Sequence, residues 1–143
     1  KTAVNFRKIK NNIGTFYPAE KIFQMPEFLK TLSVAELDNG WAECLKMALI
    51  KPTVLFEMLL KSDKVISPEI IRKAVELKAE ICQRDPFDKS ERRFLNLGHT
   101  LAHIYESLSD FNISHGTAVA VGIRTAATLS LRKEFIDKYQ FNQ

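Results

Sequence analysis

Over the first 32 residues the apolar positions come in short, irregular groups; from Ser33 onward they recur with a helical period. Residues 3–6 read as a short strand. Asn11, Asn12, Ile13 and Gly14 read as a turn signal. Residues 13–16 and 22–23 are further strand candidates, with Pro18 and Pro26 as punctuation. This leader is irregular or β and too short to stand alone. Ser33 followed by Glu36 is a capping-box pattern, opening a helix that runs to about Ile50, with Gly40 in its middle. Pro52 suits the first position of a second helix, over residues 53–61. Ser67 and Pro68 start a third, in which Ile70, Ile71, Ala74, Val75, Leu77, Ile81 and Cys82 form an apolar stripe. After a loop through residues 85–88, the pattern predicts one helix over residues 90–109. Ser114 caps a last helix, over about residues 115–135. The expectation is mainly α: a five-helix bundle with short loops behind a β-containing leader.

Composition narrows the class. Apolar residues make up 45% and charged residues 27% of the 143, which excludes a disordered chain, a collagen and a membrane bundle. Five Gly and five Pro are too few for a turn-dense all-β fold. Neither internal repeats nor low-complexity segments occur. The length suits about one domain with a real core. The chain opens on Lys1 and ends on Phe141, Asn142 and Gln143 with no capping signal, and reads as a piece of something longer. Lys and Arg number 21 against 17 Asp and Glu, a net charge of +4. That fits an anionic small molecule, and the basic residues are too scattered to suggest nucleic acid. No apolar stretch approaches the roughly 18 residues a membrane span needs, and no signal-peptide pattern opens the chain. Cys44 and Cys82 fall within apolar helical patterns and read as reduced, semi-buried residues of a cytoplasmic protein.

Chemistry concentrates late in the chain. Arg92, Asn96, His99 and His103 are spaced to share one face of the helix predicted over residues 90–109. A solvated stripe would hold Lys and Glu; this one holds a guanidinium, an amide and two imidazoles. His115 stands at a predicted helix start, so all three histidines lie close together in sequence. Two His and one carboxylate make a three-ligand zinc site with a position left open, the catalytic pattern rather than the closed structural one. Spacing does not identify the carboxylate. Blander readings stand beside these. A lone His is more often a satisfied core residue, Lys78 on the apolar stripe suits a snorkelling side chain, and Glu43 with Lys46 suits a surface ion pair. Gly116, Ala118, Ala120, Gly122, Ala126 and Ala127 let another helix approach closely.

The motifs resemble a known family. Residues 95–103, Asn-Leu-Gly-His-Thr with His103 beyond, resemble a signature of the 3-dehydroquinate synthases. Gly40, Ala42, Glu43 and Lys46 resemble that family's Gly-x-Ala-Glu-x-x-Lys; Glu76, Lys78 and Ala79 its Glu-x-Lys-Ala. Ser114-His115-Gly116 with Ala118-Val119-Ala120, and the segments 1–5 and 10–16, resemble others in the same order along nearly the whole chain. The resemblance implies a helical C-terminal domain over residues 33–143 that binds metal and substrate. Residues 1–32 would then be the end of a Rossmann-like, NAD-binding N-terminal domain. It implies conversion of 3-deoxy-D-arabino-heptulosonate 7-phosphate to 3-dehydroquinate and phosphate in the shikimate pathway, with NAD⁺ and Zn²⁺ or another divalent metal such as Co²⁺. By motif position it makes Glu43, His99 and His115 the metal ligands. Lys78, Arg92 and Asn96 would hold the substrate carboxylate and a nearby hydroxyl, and Lys1 and Asn11 the phosphate, with Lys10 close by. His103 would meet a substrate hydroxyl and move protons, and Lys46 would sit beside the reacting carbon. Metal polarises a hydroxyl, hydride transfer to NAD⁺ makes a ketone, and the acidified neighbouring C–H lets phosphate leave. The hydride then returns, the ring opens and an aldol closes the carbocycle. Members of the family are usually homodimers.

The sequence departs from the pattern in places. The family's Glu after His-Gly is Thr117, and a Gly of its His motif is Ala102; both bear on tuning more than on ligation. The Gly-rich turn that grips a dinucleotide is not in this sequence, nor are the Gly pair expected before Lys1 and the Lys expected after Gln143. The expectation is a chain that does not turn over alone. Competing readings are a sibling sugar-phosphate cyclase of the valiolone or deoxy-scyllo-inosose type, a metal-dependent polyol dehydrogenase, and a non-enzymatic helical module. The sibling cyclases need no substrate carboxylate, so Lys78, Arg92 and Asn96 together favour the first assignment.

Overall fold

Serine and threonine hydroxyls start four of the helices. Ser33 Oγ accepts from Glu36 N at 3.3 Å and opens α1, Val34–Ile50. The Glu36 carboxylate does not complete the box; it accepts from Asn39 Nδ2. Thr53 Oγ1 accepts from Leu55 N and opens α2, Val54–Leu60. Pro52 therefore lies just outside the cap, a correction to its expected place inside the helix. Ser67, with Pro68 at the first helical position, opens α3, Pro68–Arg84. Ser114 opens α5, His115–Arg132, which ends three residues earlier than the pattern predicted. Each cap satisfies an amide that the helix itself leaves free.

The structure, a computed structural model, describes residues 2–7, 9–110 and 112–142, with the backbone alone at residues 9–11. It is mainly helical, as the periodicity predicted. The leader forms an antiparallel hairpin, β1 (Thr2–Phe6) with β2 (Ile9–Thr15), paired Thr2 to Thr15 and Val4 to Ile13. This corrects the turn expected at Asn11 to Gly14: those residues are strand, and the chain reverses beside Arg7, whose φ is 50°. Ile22 and Phe23 are exposed and join no strand. A 3₁₀ turn, Pro26–Thr31, leads into α1.

The helix expected over residues 90–109 is two elements. A 3₁₀ turn covers Glu91–Asn96, and α4 begins afresh at His99 and runs to Leu108. Gly98 makes the break, with a left-handed φ of 76°. That conformation costs glycine little and other residues more. A Cβ there would also stand 2.7 Å from Ile123 Cγ1 and 2.8 Å from Val119 O. A short α6, Lys138–Asn142, follows α5.

Two cores result. Cys44, Met47 and Ala48 of α1 pack with Leu55 and Leu59 of α2 and with Ile70, Leu77 and Ile81 of α3. Ala102 of α4 packs with Ala118 and Val119 of α5, flanked by Tyr105 and Ile123. Helix α5 packs on both α1 and α4 and so joins the two cores. Its small residues make that possible: a Cβ on Gly122 would lie 2.2 Å from Gly98 O, and one on Gly116 2.5 Å from Asn39 Cα. No helix among the described residues is long and apolar enough to cross a membrane.

Both close approaches are backbone against backbone, so the neighbours have little room to give. Gly122→Ala is expected to destabilise the chain by about 1–3 kcal/mol, read as a lower urea midpoint at unchanged slope. A midpoint equal to that of the unaltered chain would refute the close approach.

Candidate metal and substrate site

The starts of α4 and α5 meet the middle of α1 where the two cores join. Asn39 and Glu43 lie one turn apart on α1. Asn39 Oδ1 accepts the Gly116 amide at 2.7 Å, which ties the start of α5 to α1 and brings His115 beside Glu43. His99, the first residue of α4, arrives from the other side through the Gly98 turn. Glu43 Oε1 stands 3.5 Å from His99 Nε2 and 3.5 Å from His115 Nε2, and the donor atoms of all three residues lie within 4.8 Å of one another.

The far side of each imidazole is fixed. His99 Nδ1 faces Leu97 O at 3.2 Å, and His115 Nδ1 faces Glu106 Oε1 at 3.0 Å. Carbonyl and carboxylate oxygens only accept, so both Nδ1 atoms are assigned the proton. Both Nε2 lone pairs then turn toward Glu43. Burial, with the nearby Lys46 charge, pulls His99 below its ordinary imidazole value, against the hydrogen bond to Leu97 and the charge of Glu43. The direction favours the neutral ring that can ligate a metal. Burial opposes ionisation of Glu43, but the Lys46 hydrogen bond and charge, with His99 and His115, outweigh it and hold the carboxyl below its ordinary value.

The two oxygens of Glu43 have different surroundings. Oε2 accepts from Lys46 Nζ at 2.7 Å, and Lys46 is 5% exposed. This is a partly buried ion pair rather than the surface pair that spacing alone allowed, in keeping with the rule that buried charges are paired. Oε1 is buried with no hydrogen-bond partner. An orphaned carboxylate oxygen is costly, and here it points at two imidazole lone pairs. One carboxylate oxygen and two imidazole nitrogens suit a divalent metal of the zinc type with a position left open. The residues present fit such an ion.

The remaining predicted residues fall into three groups. His103 is half-buried one turn along α4, its ring 5.8 Å from that of His99 and roughly perpendicular to it. Arg92 and Asn96 belong to the preceding 3₁₀ turn, not to the α4 face with the histidines, because the backbone changes direction at Gly98. Arg92 Nη1 donates to Pro86 O at 2.8 Å, and its guanidinium lies 5.5 Å from the centre of the Phe16 ring. Asn96 is exposed and lines a groove of about 720 Å³ with Leu49, Thr100 and Gly122. Lys78 is exposed on α3, beyond the buried line of Ile70, Leu77 and Ile81, so the expected apolar setting is corrected. Lys1 and the side chains of Lys10 and Asn11 lie outside the described residues. Of the two departures, Ala102 is fully buried between α4 and α5. Thr117 Oγ1 accepts from Ser114 Oγ at 2.9 Å and strengthens the α5 cap.

Sequence reasoning passed over three residues. Glu106 shares the α4 face of His99, Ala102 and His103, and that shared face was the available signal. Asn39 is one turn before Glu43. Asp85 is 5% exposed and accepts from the amides of Lys89, Ser90 and Arg92 at 2.9, 2.7 and 3.1 Å. An Asp before a Pro, opening a loop with Asp88 and Ser90, carried that signal.

Comparison with known proteins agrees with the motifs. Residues 40–143 match the family model described as 3-dehydroquinate synthase C-terminal, and residues 1–39 the one described as 3-dehydroquinate synthase N-terminal. The chain is 40% identical over 137 residues to 3-dehydroquinate synthase of Chlamydia felis, covering 92% of this chain and 36% of that protein. It is 39% identical over 151 residues to 3-dehydroquinate synthase of Campylobacter jejuni subsp. doylei, covering 98% of this chain and 43% of that one. The chain thus spans well under half the length of these relatives.

The Asp85 loop gives a pH-dependent prediction. The Lys89 amide, followed by those of Ser90 and Arg92, outweighs burial and lowers the Asp85 carboxyl from 3.8 to about 2. A depressed folded value means that its stabilisation is complete above the unfolded value and is lost as pH falls through the folded one. Asp85→Asn is expected to melt below the unaltered chain at pH 7, with the gap closing between about pH 4 and 2. A gap that stays constant across that range would contradict the assignment.

Proposed function

We propose, because this chain belongs to the 3-dehydroquinate synthase family, that it supplies the metal-binding part and some of the substrate-binding part of such a synthase. The observation that carries the reading is the convergence of Glu43 Oε1 with Nε2 of His99 and His115. These residues would hold a divalent cation, Zn²⁺ or Co²⁺. Bound there, the cation supplies Lewis acidity toward a substrate hydroxyl.

The chain's own groups have separate tasks. Lys46 neutralises Glu43 through Oε2 and leaves Oε1 for the ion; its ammonium stands beside the site for the reacting carbon. His103, next to His99, meets a substrate hydroxyl and moves a proton at an imidazole nitrogen. Arg92 is held by Pro86 O and Phe16 with donor capacity left for a carboxylate. Asn96 and Lys78 extend that carboxylate site, and Lys1, Lys10 and Asn11 take the phosphate. NAD⁺ dependence rests on the family alone, and no residue of this chain is assigned to it. The substrate is 3-deoxy-D-arabino-heptulosonate 7-phosphate, converted to 3-dehydroquinate and phosphate. Residues 1–32 close a nucleotide-binding domain, and residues 33–143 form the helical one; the start of α1 at Val34 supports that division. A homodimer in the cytoplasm completes the proposal, the unpaired Cys44 and Cys82 being consistent with a reducing compartment.

Calorimetric titration with Zn²⁺ is expected to show one ion per chain, with affinity in His99→Ala lost by more than the roughly 10- to 100-fold that removing an outer partner of a ligand costs, because one of the three ligands themselves is gone. Equal affinity in the variant would sink the reading. With NAD⁺, Zn²⁺ and the heptulosonate phosphate, the purified chain is expected to release no phosphate; NAD⁺-dependent release would show that it needs no further segment.

A further inference from the structure

Glu106 has no part in the ligand set described above, yet it is the most deeply placed acid near it, 3% exposed inside the α4–α5 contact. It lies two turns after His99 on the same face of α4. One short helix therefore carries a ligand at its first residue and, at its inner end, the carboxylate that touches the other ligand. The contact is His115 Nδ1 to Glu106 Oε1 at 3.0 Å, across two helices. His115 is not held by its own loop, as His99 is by Leu97 O. Its ring has the Ser114 cap before it and the Gly116–Asn39 contact after it, and both of those fix backbone rather than ring. The ring torsion and the position of its proton are left to Glu106.

We infer that Glu106 is a positioning residue for the metal centre: it holds the His115 imidazole with hydrogen on Nδ1 and Nε2 turned toward Glu43, and so sets metal affinity without touching the ion. A carboxylate hydrogen-bonded to a ligating imidazole fixes the tautomer and raises ligand basicity. The two ligand imidazoles are then unequal. His99 backs onto a neutral carbonyl and His115 onto a carboxylate, so His115 is the stronger donor.

This inference rests on the metal reading above, and its test separates the two. Three chains are compared: unaltered, Glu106→Gln and His115→Ala. Circular dichroism and melting check that each is folded. Nitrogen-15 spectra of the metal-free chains report the His115 tautomer, and Co²⁺ titration followed by visible absorption reports affinity and ligand field. The unaltered chain is expected to hold the Nδ1–H tautomer, and His115→Ala to lose Co²⁺ binding. Glu106→Gln, isosteric but uncharged, is expected to bind Co²⁺ about 10- to 100-fold more weakly, with a shifted visible band and a mixed tautomer. A folded Glu106→Gln with unchanged affinity, band and tautomer would overturn the role of Glu106 while leaving the metal site intact. No Co²⁺ uptake by the unaltered chain would overturn the metal reading, and with it the effect on affinity. Should Glu106→Gln fail to fold, Glu106→Asp takes its place, expected to keep the charge but lose the reach; native affinity and band in that variant would equally overturn the proposal.

Discussion

The close approach of α5 to two backbones is the constraint on which the rest depends. At one end Gly116 lets the α5 amide reach Asn39; further along, Gly122 lies against the carbonyl of Gly98. Neither position has space for a methyl group. With both satisfied, the starts of α4 and α5 can only face α1 at Glu43, and the three donor groups converge as a result of packing. The small residues along α5 read from sequence as packing and nothing more. They are packing, but packing that sets the distances of the site.

Most of the helical frame was legible in the sequence because its signals are local. Ser33, Ser67 and Ser114 cap helices through hydroxyl-to-amide bonds within three residues, and such contacts need no knowledge of the rest of the chain. The break at Gly98 was not legible. A lone glycine inside an apolar period reads as a tolerated helix residue, and only the crowding by Val119 and Ile123, distant in sequence, shows that the chain must turn there. The hairpin was misplaced for a related reason: Asn11, Asn12 and Gly14 have turn chemistry, but pairing with β1 overrides it and moves the reversal to Arg7.

The site was legible in kind and less so in arrangement. Two histidines with a carboxylate suggested an open metal site before any family was considered, and the structure brings Glu43, His99 and His115 together. The motif resemblance, and not spacing, picked Glu43 from among many acids and His115 rather than His103 as the second imidazole. What local pattern could not supply was each group's surroundings. Lys46 is sealed in beside Glu43, whereas Lys78, placed on an apolar stripe by periodicity, faces solvent. Periodicity tells which face a residue occupies; how far the neighbouring element extends over that face is a tertiary fact.

Among the described residues, the joint between leader and helices rests on a single ring. Phe16 follows directly after β2 and meets the Phe87 ring edge-on at 6.2 Å, while the Arg92 guanidinium lies over the same Phe16 ring. Asp85 clamps the backbone between those two partners through three amides. The leader therefore meets a loop braced by its own hydrogen bonds, through one edge-on ring pair and one guanidinium over a ring. Through the Phe16 ring the hairpin thus bears on Arg92, which lies on the far side of the Gly98 bend from His99 and His103. The placement of the Arg92 guanidinium is therefore shared between leader and loop, whereas Glu43, His99 and His115 are placed by the contacts of α5 with α1 and α4.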